Sequence, residues 1–241
     1  MTTIALIGGD GAGKTTVAHA LIRSTSAPVK YLYMGFSTRS SDHALPTSRL
    51  VYWLKNQRRR KQKAESGVKD PLNMPAGELE YSQESHGWIW NTARFFNRVA
   101  EAGYRQILAV AYQLQGRIVL FDRHFFFDAA PEEFDLQSRS TMFYDRLFFW
   151  LINHAYPRPS VAIFLDAPPE VLYSRKGEAS PEYLAWQREQ YMKQGAKLAH
   201  FIRVDATQPL EDVIHEVEQI IQVIHTGRAM KSSPRSLDVR E

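Results

Sequence analysis

Gly8-Gly9-Asp10-Gly11-Ala12-Gly13-Lys14-Thr15 stands between a short apolar run, Thr3 to Ile7, and a stretch with helical spacing, Thr15 to Arg23. The reading of this stretch decides the fold. Glycines let successive backbone N–H groups turn inward around an anion, and a helix starting where the turn ends points its positive end at the same charge. The order G-x-x-x-x-G-K-[ST], with a strand before it and a helix after it, is the context in which such a loop holds the phosphates of a nucleoside triphosphate. Gly8, Asp10, Gly11, Ala12, Gly13, Lys14, Thr15 and Thr16 are therefore the candidate nucleotide-binding residues. Lys14 is expected to reach the β- and γ-phosphates from a solvent-facing position, and the Thr15 hydroxyl to ligate Mg²⁺.

Outward from this loop, strands and helices alternate. Val29 to Met34 reads as a second strand ended by Gly35. Thr92 to Gln115 reads as a long helix, because Phe96, Val99, Gly103, Ile107, Val110 and Leu114 follow one another at spacings of three and four. Arg117 to Phe121, Val161 to Leu165 and Phe201 to Val204 are further strand candidates, closed by Asp122, Asp166 and Asp205. Ser180 and Pro181 have the chemistry of a helix start, and Pro209 opens another helix with Leu210, Val213, Val217, Ile220 and Ile224 as its apolar stripe. The alternation predicts an α/β fold of three layers, a parallel sheet with helices on both faces. Ligands of such sheets bind beyond the C-terminal strand edge, where the glycine-rich loop and the three aspartates fall. Residues 1–225 form one domain on this reading, with an insertion at about 36–91 and a disordered tail at 226–241.

Composition narrows the classes further. The 241 residues are 44% hydrophobic and 23% charged, enough apolar material for one full core. Cysteine is absent, which excludes a disulfide framework, a thiolate nucleophile and a cysteine zinc site, and fits a cytoplasmic protein. No signal peptide and no membrane-length apolar run is visible. Lys55, Arg58, Arg59, Arg60, Lys61 and Lys63 contribute six positive charges, and without them the formal balance of +4 turns negative. The basicity is thus one local run, and a nucleic-acid partner is not expected.

With Asp10 and Thr16 included, the loop resembles that of the thymidylate kinases. Asp122-Arg123-His124 is similar to that family's Asp-Arg-aromatic signature, and Phe164 to Val171 resembles the strand and turn before its lid. Val204 to Glu211 resembles the loop that packs against adenine, which implies nucleotide contacts from Ala206 and Thr207. The resemblance implies a P-loop kinase using ATP and Mg²⁺, in which Lys14, Asp10, Arg123 and Arg175 serve catalysis. Arg123 would grip the acceptor phosphate, Asp10 an acceptor hydroxyl, and Arg175, with Lys176 and Arg188 nearby, would belong to the lid. Thr15 and Asp122 would serve the metal, Asp122 through water or by pairing with Lys14. A homodimer is implied as well.

The acceptor half departs from the family. Its Arg-Glu-Pro-Gly stretch after the second strand is replaced by Tyr33-Met34-Gly35-Phe36-Ser37-Thr38-Arg39. Its helix arginine falls at Glu101, between Arg98 and Arg105. The Tyr-Met-Gly variant and Arg175-Lys176-Gly177-Glu178 resemble thymidylate-kinase-like proteins that accompany polysaccharide enzymes. Three functions follow: a kinase of a nucleoside monophosphate, dTMP first among them; a kinase of a sugar or glycan; and a regulatory ATP binder. Asp-x-x-Gly after a strand and Asn-Lys-x-Asp, the marks of a GTPase switch, are absent.

Overall fold

In the computed structural model, residues 2–35, 45, 88–128, 142–177 and 179–227 are described. Apart from Leu45, the expected insertion up to Gly87, with its basic run, lies outside them, as do Glu178 and residues 228–241.

The strands are β1 (Thr3–Ile7), β2 (Val29–Tyr33), β3 (Ile118–Asp122), β4 (Val161–Asp166) and β5 (Phe201–Asp205). They form one sheet in the order β2-β3-β1-β4-β5, parallel at every pairing. β1, β3 and β4 are buried along their whole length, which is why they read as nearly unbroken apolar runs. Alternate side chains of each strand enter opposite layers. Ile4, Leu6, Leu120, Ile163 and Leu165 pack with Val17 and Leu21 of helix α1 (Lys14–Ser24) and with Val213, Val217 and Ile221 of α7 (Leu210–Thr226). Ala5, Ile7, Val119, Phe121 and Phe164 pack on the other face with Ala102 and Ala109 of α2 (Trp88–Leu114). Phe125 to Phe127 of α3 (Phe125–Asp128) and Phe148 and Ile152 of α4 (Met142–Ala155) complete that layer. The remaining helices are α5 (Pro169–Lys176) and α6 (Pro181–Gly195), the latter capped by the Ser180 hydroxyl accepting from the Tyr183 amide at 3.3 Å.

The chain leaving β1 turns into α1 on one face, whereas the chain leaving β3 turns into α3 on the other. β1 and β3 are neighbours, with Leu6 opposite Asp122. Their C-terminal ends therefore flank the crevice in which open parallel sheets bind ligands.

Several expectations need correction. The long helix begins at Trp88, before Thr92, and ends at Leu114. The periodic stripe on α2 does not face the sheet. Phe96, Ile107, Val110 and Leu114 are exposed, whereas Glu101, Ala102, Arg105 and Ala109 are buried. Spacing identifies an apolar stripe but not which surface covers it, and on α2 the core is met by Ala102 and Ala109 with Phe95, Val99, Leu108 and Tyr112 partly buried against it. On α7 the buried line is Val213, Val217 and Ile221, while Leu210 is 45% exposed.

Candidate active site

The loop between β1 and α1 is shaped by glycines at positive φ. Gly11 (φ 92°) and Gly13 (φ 83°) lie in the left-handed region. A Cβ on Gly11 would stand 2.8 Å from the Leu172 carbonyl oxygen, so α5 packs directly on loop backbone. Lys14 is only 6% exposed, against the expectation of a solvent-facing side chain. Its Nζ donates to the Gly8 and Gly9 carbonyls, both at 2.8 Å, and stands 3.8 Å from Asp10 Oδ1. Loop carbonyls take the place of water around the ammonium group, which makes burial of this charge tolerable.

Asp122 at the end of β3 is fully buried. Its Oδ2 accepts from the Thr15 hydroxyl at 2.7 Å and from the Tyr31 hydroxyl at 3.0 Å, while Oδ1 has no hydrogen-bond partner. The alternative pairing with Lys14 is not among the described contacts of Asp122; its partners are hydroxyls. A buried carboxylate oxygen left without a donor is costly and fits a cation or a metal-held water at this position. Thr15, a hard oxygen donor beside it, matches the set that Mg²⁺ prefers. Tyr31 was missed from the sequence, where it reads as an ordinary strand tyrosine.

Arg123, the next residue, has φ 65°, the single non-glycine in the left-handed region among the described residues. Its amide donates to the Leu6 carbonyl at 3.1 Å, and its Nη2 donates to Asp10 Oδ1 at 2.5 Å. Burial pushes the Asp10 carboxyl upward, but Arg123, Lys14 and Lys176 outweigh it and hold the group below its ordinary value. Asp10 is thus ionised among three cations. His124 behind it is buried, and burial lowers its pKa to about 3. Its Nδ1 accepts from the Phe126 amide at 3.2 Å, so the neutral ring carries its proton on Nε2.

The expected lid residues separate. Arg175 at the end of α5 donates to the Ala206 carbonyl at 2.8 Å, joining this helix to the loop after β5. Thr207 folds back on Asp205, its amide and hydroxyl donating to Oδ1 at 2.8 and 2.6 Å. Arg188 belongs to another group: it donates twice to Asp166, at 2.6 and 2.8 Å, and Arg203 adds a third bond at 2.8 Å. Burial raises the Asp166 carboxyl, and the two guanidinium groups more than reverse that.

No protein-family model matches the sequence. The chain is 30% identical over 111 residues, 44% of its own length, to a protein described as probable thymidylate kinase 1 of Saccharolobus solfataricus. The match spans about half, 54%, of that relative. In structure the chain is similar to the thymidylate kinase of Candida albicans, whose solved structure is described as revealing the origin of its broad substrate specificity. That likeness covers 92% of both chains at a TM-score of 0.56 and 18% identity. No helix among the described residues is long and apolar enough to cross a membrane. The chain is thus similar to thymidylate kinases, in fold over 92% of its length and in sequence over 44% of it.

Proposed function

We propose that the chain is a thymidylate-kinase-family phosphotransferase that moves the ATP γ-phosphoryl group to a nucleoside monophosphate, with dTMP the first acceptor to test. The observation that supports this most is the convergence of Lys14, Thr15, Asp122, Asp10 and Arg123 on one strand edge, within 2.5–3.8 Å contacts. Phosphoryl transfer needs positioning and positive charge more than a covalent nucleophile. Backbone amides of Gly8 to Thr16 would hold the ATP phosphates, and Lys14 would exchange its loop carbonyls for phosphate oxygens. Arg123, aimed by Asp10, would hold the acceptor phosphate in line. Thr15 and Asp122 would hold Mg²⁺, which when bound supplies charge neutralisation for the phosphates. Arg175, fixed on Ala206, would tie the lid to the adenine side, where Thr207 follows. The setting is cytoplasmic and the partners are small molecules.

A second acceptor class, a sugar or glycan hydroxyl, is favoured by the replacement at Tyr33-Met34-Gly35 of the stretch that serves the nucleotide acceptor in the family. ADP release with Mg-ATP, screened over nucleoside monophosphates, sugars and sugar phosphates, separates the two. Turnover with dTMP or another monophosphate is expected. Turnover with sugars alone would move the assignment to the second class, and none with any acceptor would leave a regulatory ATP binder. Lys14→Ala should lower turnover by about 10²–10³-fold or more, as loss of a charge-stabilising donor does. Undiminished turnover in this variant would remove the loop from the mechanism.

The proposal includes a homodimer built on the exposed face of α2. Between Val99 and Leu114 every exposed residue of that helix is apolar: Ala100, Gly103, Ile107, Val110 and Leu114.

A further inference from the structure

Glu101 and Arg105 are the two charged side chains buried on α2, 4% and 1% exposed, one helical turn apart. Their mutual contact is loose, 3.7 Å between Oε2 and Nη2. Their close contacts go outward, to backbone. Arg105 Nη1 donates to the Gly35 carbonyl at 2.6 Å. The Glu101 carboxylate accepts from the Leu45 amide, 3.1 Å to Oε1 and 3.2 Å to Oε2. One pair thus holds Gly35, within the stretch in which the sequence departs from the thymidylate kinases, and Leu45, ten residues further on.

Gly35 connects this pair to the site. A Cβ there would stand 2.8 Å from Arg123 Cδ, so the glycine backbone lies directly on the Arg123 side chain. Arg123 in turn reaches Asp10. The guanidinium of Arg105 is also boxed by aromatic rings, 6.0 Å from the Tyr33 centroid and 5.8 Å from that of Phe125. Tyr156 closes the floor, its hydroxyl donating to Met34 Sδ at 3.5 Å and to the Ala102 carbonyl at 3.3 Å. Arg98, on the other side of Glu101, stacks over Phe148 of α4 at 4.4 Å and so faces elsewhere.

A buried ion pair is a poor source of net stability, because desolvation offsets most of the attraction. Its value is geometric when each charge is satisfied by a particular partner. Here the close partners are one carbonyl and one amide, ten residues apart in sequence, and Arg105 Nε is buried without a hydrogen-bond partner. We propose that Glu101 and Arg105 are positioning residues for the acceptor side, which fix Gly35 and Leu45 and, through Gly35, the placement of Arg123. This rests on the phosphotransferase reading above.

The test uses the full chain with Glu101→Met and Arg105→Met together, a replacement that leaves no buried charge unpaired, and Glu101→Gln as a milder second variant. Exchange of the Leu45 amide is read by NMR, and KM for ATP and for the acceptor are measured separately. Both variants should speed Leu45 exchange by at least tenfold. Acceptor KM should rise about tenfold or more, while KM for ATP stays within twofold. Arg105→Lys, which keeps the charge but loses the fork, should fall between wild type and the double variant in acceptor KM. Unchanged Leu45 exchange would overturn the clamp itself. Faster exchange with unchanged acceptor KM, or an equal rise in both KM values, would overturn its role in acceptor placement. If wild-type protein turned over no acceptor, the phosphotransferase reading would fail together with the acceptor half, and Leu45 exchange would still decide the clamp.

Discussion

Arg123 is where backbone and side-chain demands conflict most openly. A left-handed conformation costs an L-residue with a Cβ about 1–2 kcal/mol relative to its ordinary wells, and glycine escapes that cost. The position at the end of β3 nonetheless carries arginine at φ 65°, with its amide on Leu6 and its guanidinium on Asp10. Strain retained at a site edge points to a side chain that the site requires. Two variants separate these contributions. Arg123→Gly and Arg123→Ala both remove the guanidinium and should both raise acceptor KM by at least tenfold with little change for ATP. In urea denaturation the glycine variant should be more stable than the alanine variant by about 1 kcal/mol, because only alanine keeps the Cβ strain. Equal stabilities would mean the backbone relaxes on truncation, and the strain argument would fall. The Asp10 carboxylate, held ionised by its cationic neighbours, should in both variants lose its largest stabilising partner and titrate at higher pH.

At the scale of elements, α2 carries the observation with the widest reach. From Ala93 onward its exposed apolar residues Ala93, Phe96, Ala100, Gly103, Ile107, Val110 and Leu114 advance by three and four in strict alternation, the repeat of a helix seam that packs on another helix. The seam is self-complementary when read against a reversed copy. Gly103 would meet Gly103, Ala100 would meet Ile107, Phe96 would meet Val110, and Ala93 would meet Leu114, so alanine faces a large aliphatic side chain in two of the three outer layers. α4, which packs against α2 through Tyr144 and Phe148, adds exposed Phe143, Leu147 and Trp150. The exposed large side chains of the seam and of α4, Phe96, Ile107, Val110, Leu114, Phe143, Leu147 and Trp150, are 37–71% exposed. A Cβ at Gly103 meets nothing within 4 Å in the monomer, and the chain has no cysteine of its own. Gly103→Cys should therefore fold normally and give a disulfide-linked pair on mild oxidation, while Ile107→Asp should sediment as a monomer. A monomeric wild type at micromolar concentration would refute the seam. The same helix shows what sequence reading leaves open. Its existence and its stripe are legible from periodicity, as are the loop, the five strands and the Ser180 cap. The direction of the stripe is not, because an exposed seam and a core face obey the same spacing. Short α3 and α4 gave no usable signal, since Phe125 to Phe127 and Leu147 to Ile152 are apolar without a period. Lys14 and Asp122 were placed at one site by motif, but their partners depend on contacts up to 107 residues apart that spacing does not encode.

For the whole molecule, the wall between the site and the core makes a test of how the fold responds to acid. His124 lies within it, its ring 5.2 Å from Phe121 and 5.8 Å from Tyr156 by centroid, and burial holds its pKa at about 3 instead of 6.5. In the unfolded chain the same imidazole regains its ordinary value and binds a proton below about pH 6.5. The unfolded state therefore carries more protons than the folded state between about pH 6.5 and pH 3, and the unfolding free energy must fall as pH is lowered through that window. One such group contributes a slope of up to about 1.4 kcal/mol per pH unit. Asp10 and Asp166, both held below the ordinary carboxylate value, add to the same trend only below about pH 4, where their unfolded counterparts become protonated. The two regions are separable. Replacing His124→Phe removes the imidazole while keeping an aromatic ring against Phe121 and Tyr156, and it should flatten the slope between pH 6.5 and pH 4.5 without altering the fall below pH 4. Urea denaturation of both proteins at half-unit pH steps reads this directly. A wild-type curve already flat across pH 6.5–4.5 would mean that the ring is protonated in the folded state, and that the pocket behind Arg123 admits water or a counter-charge.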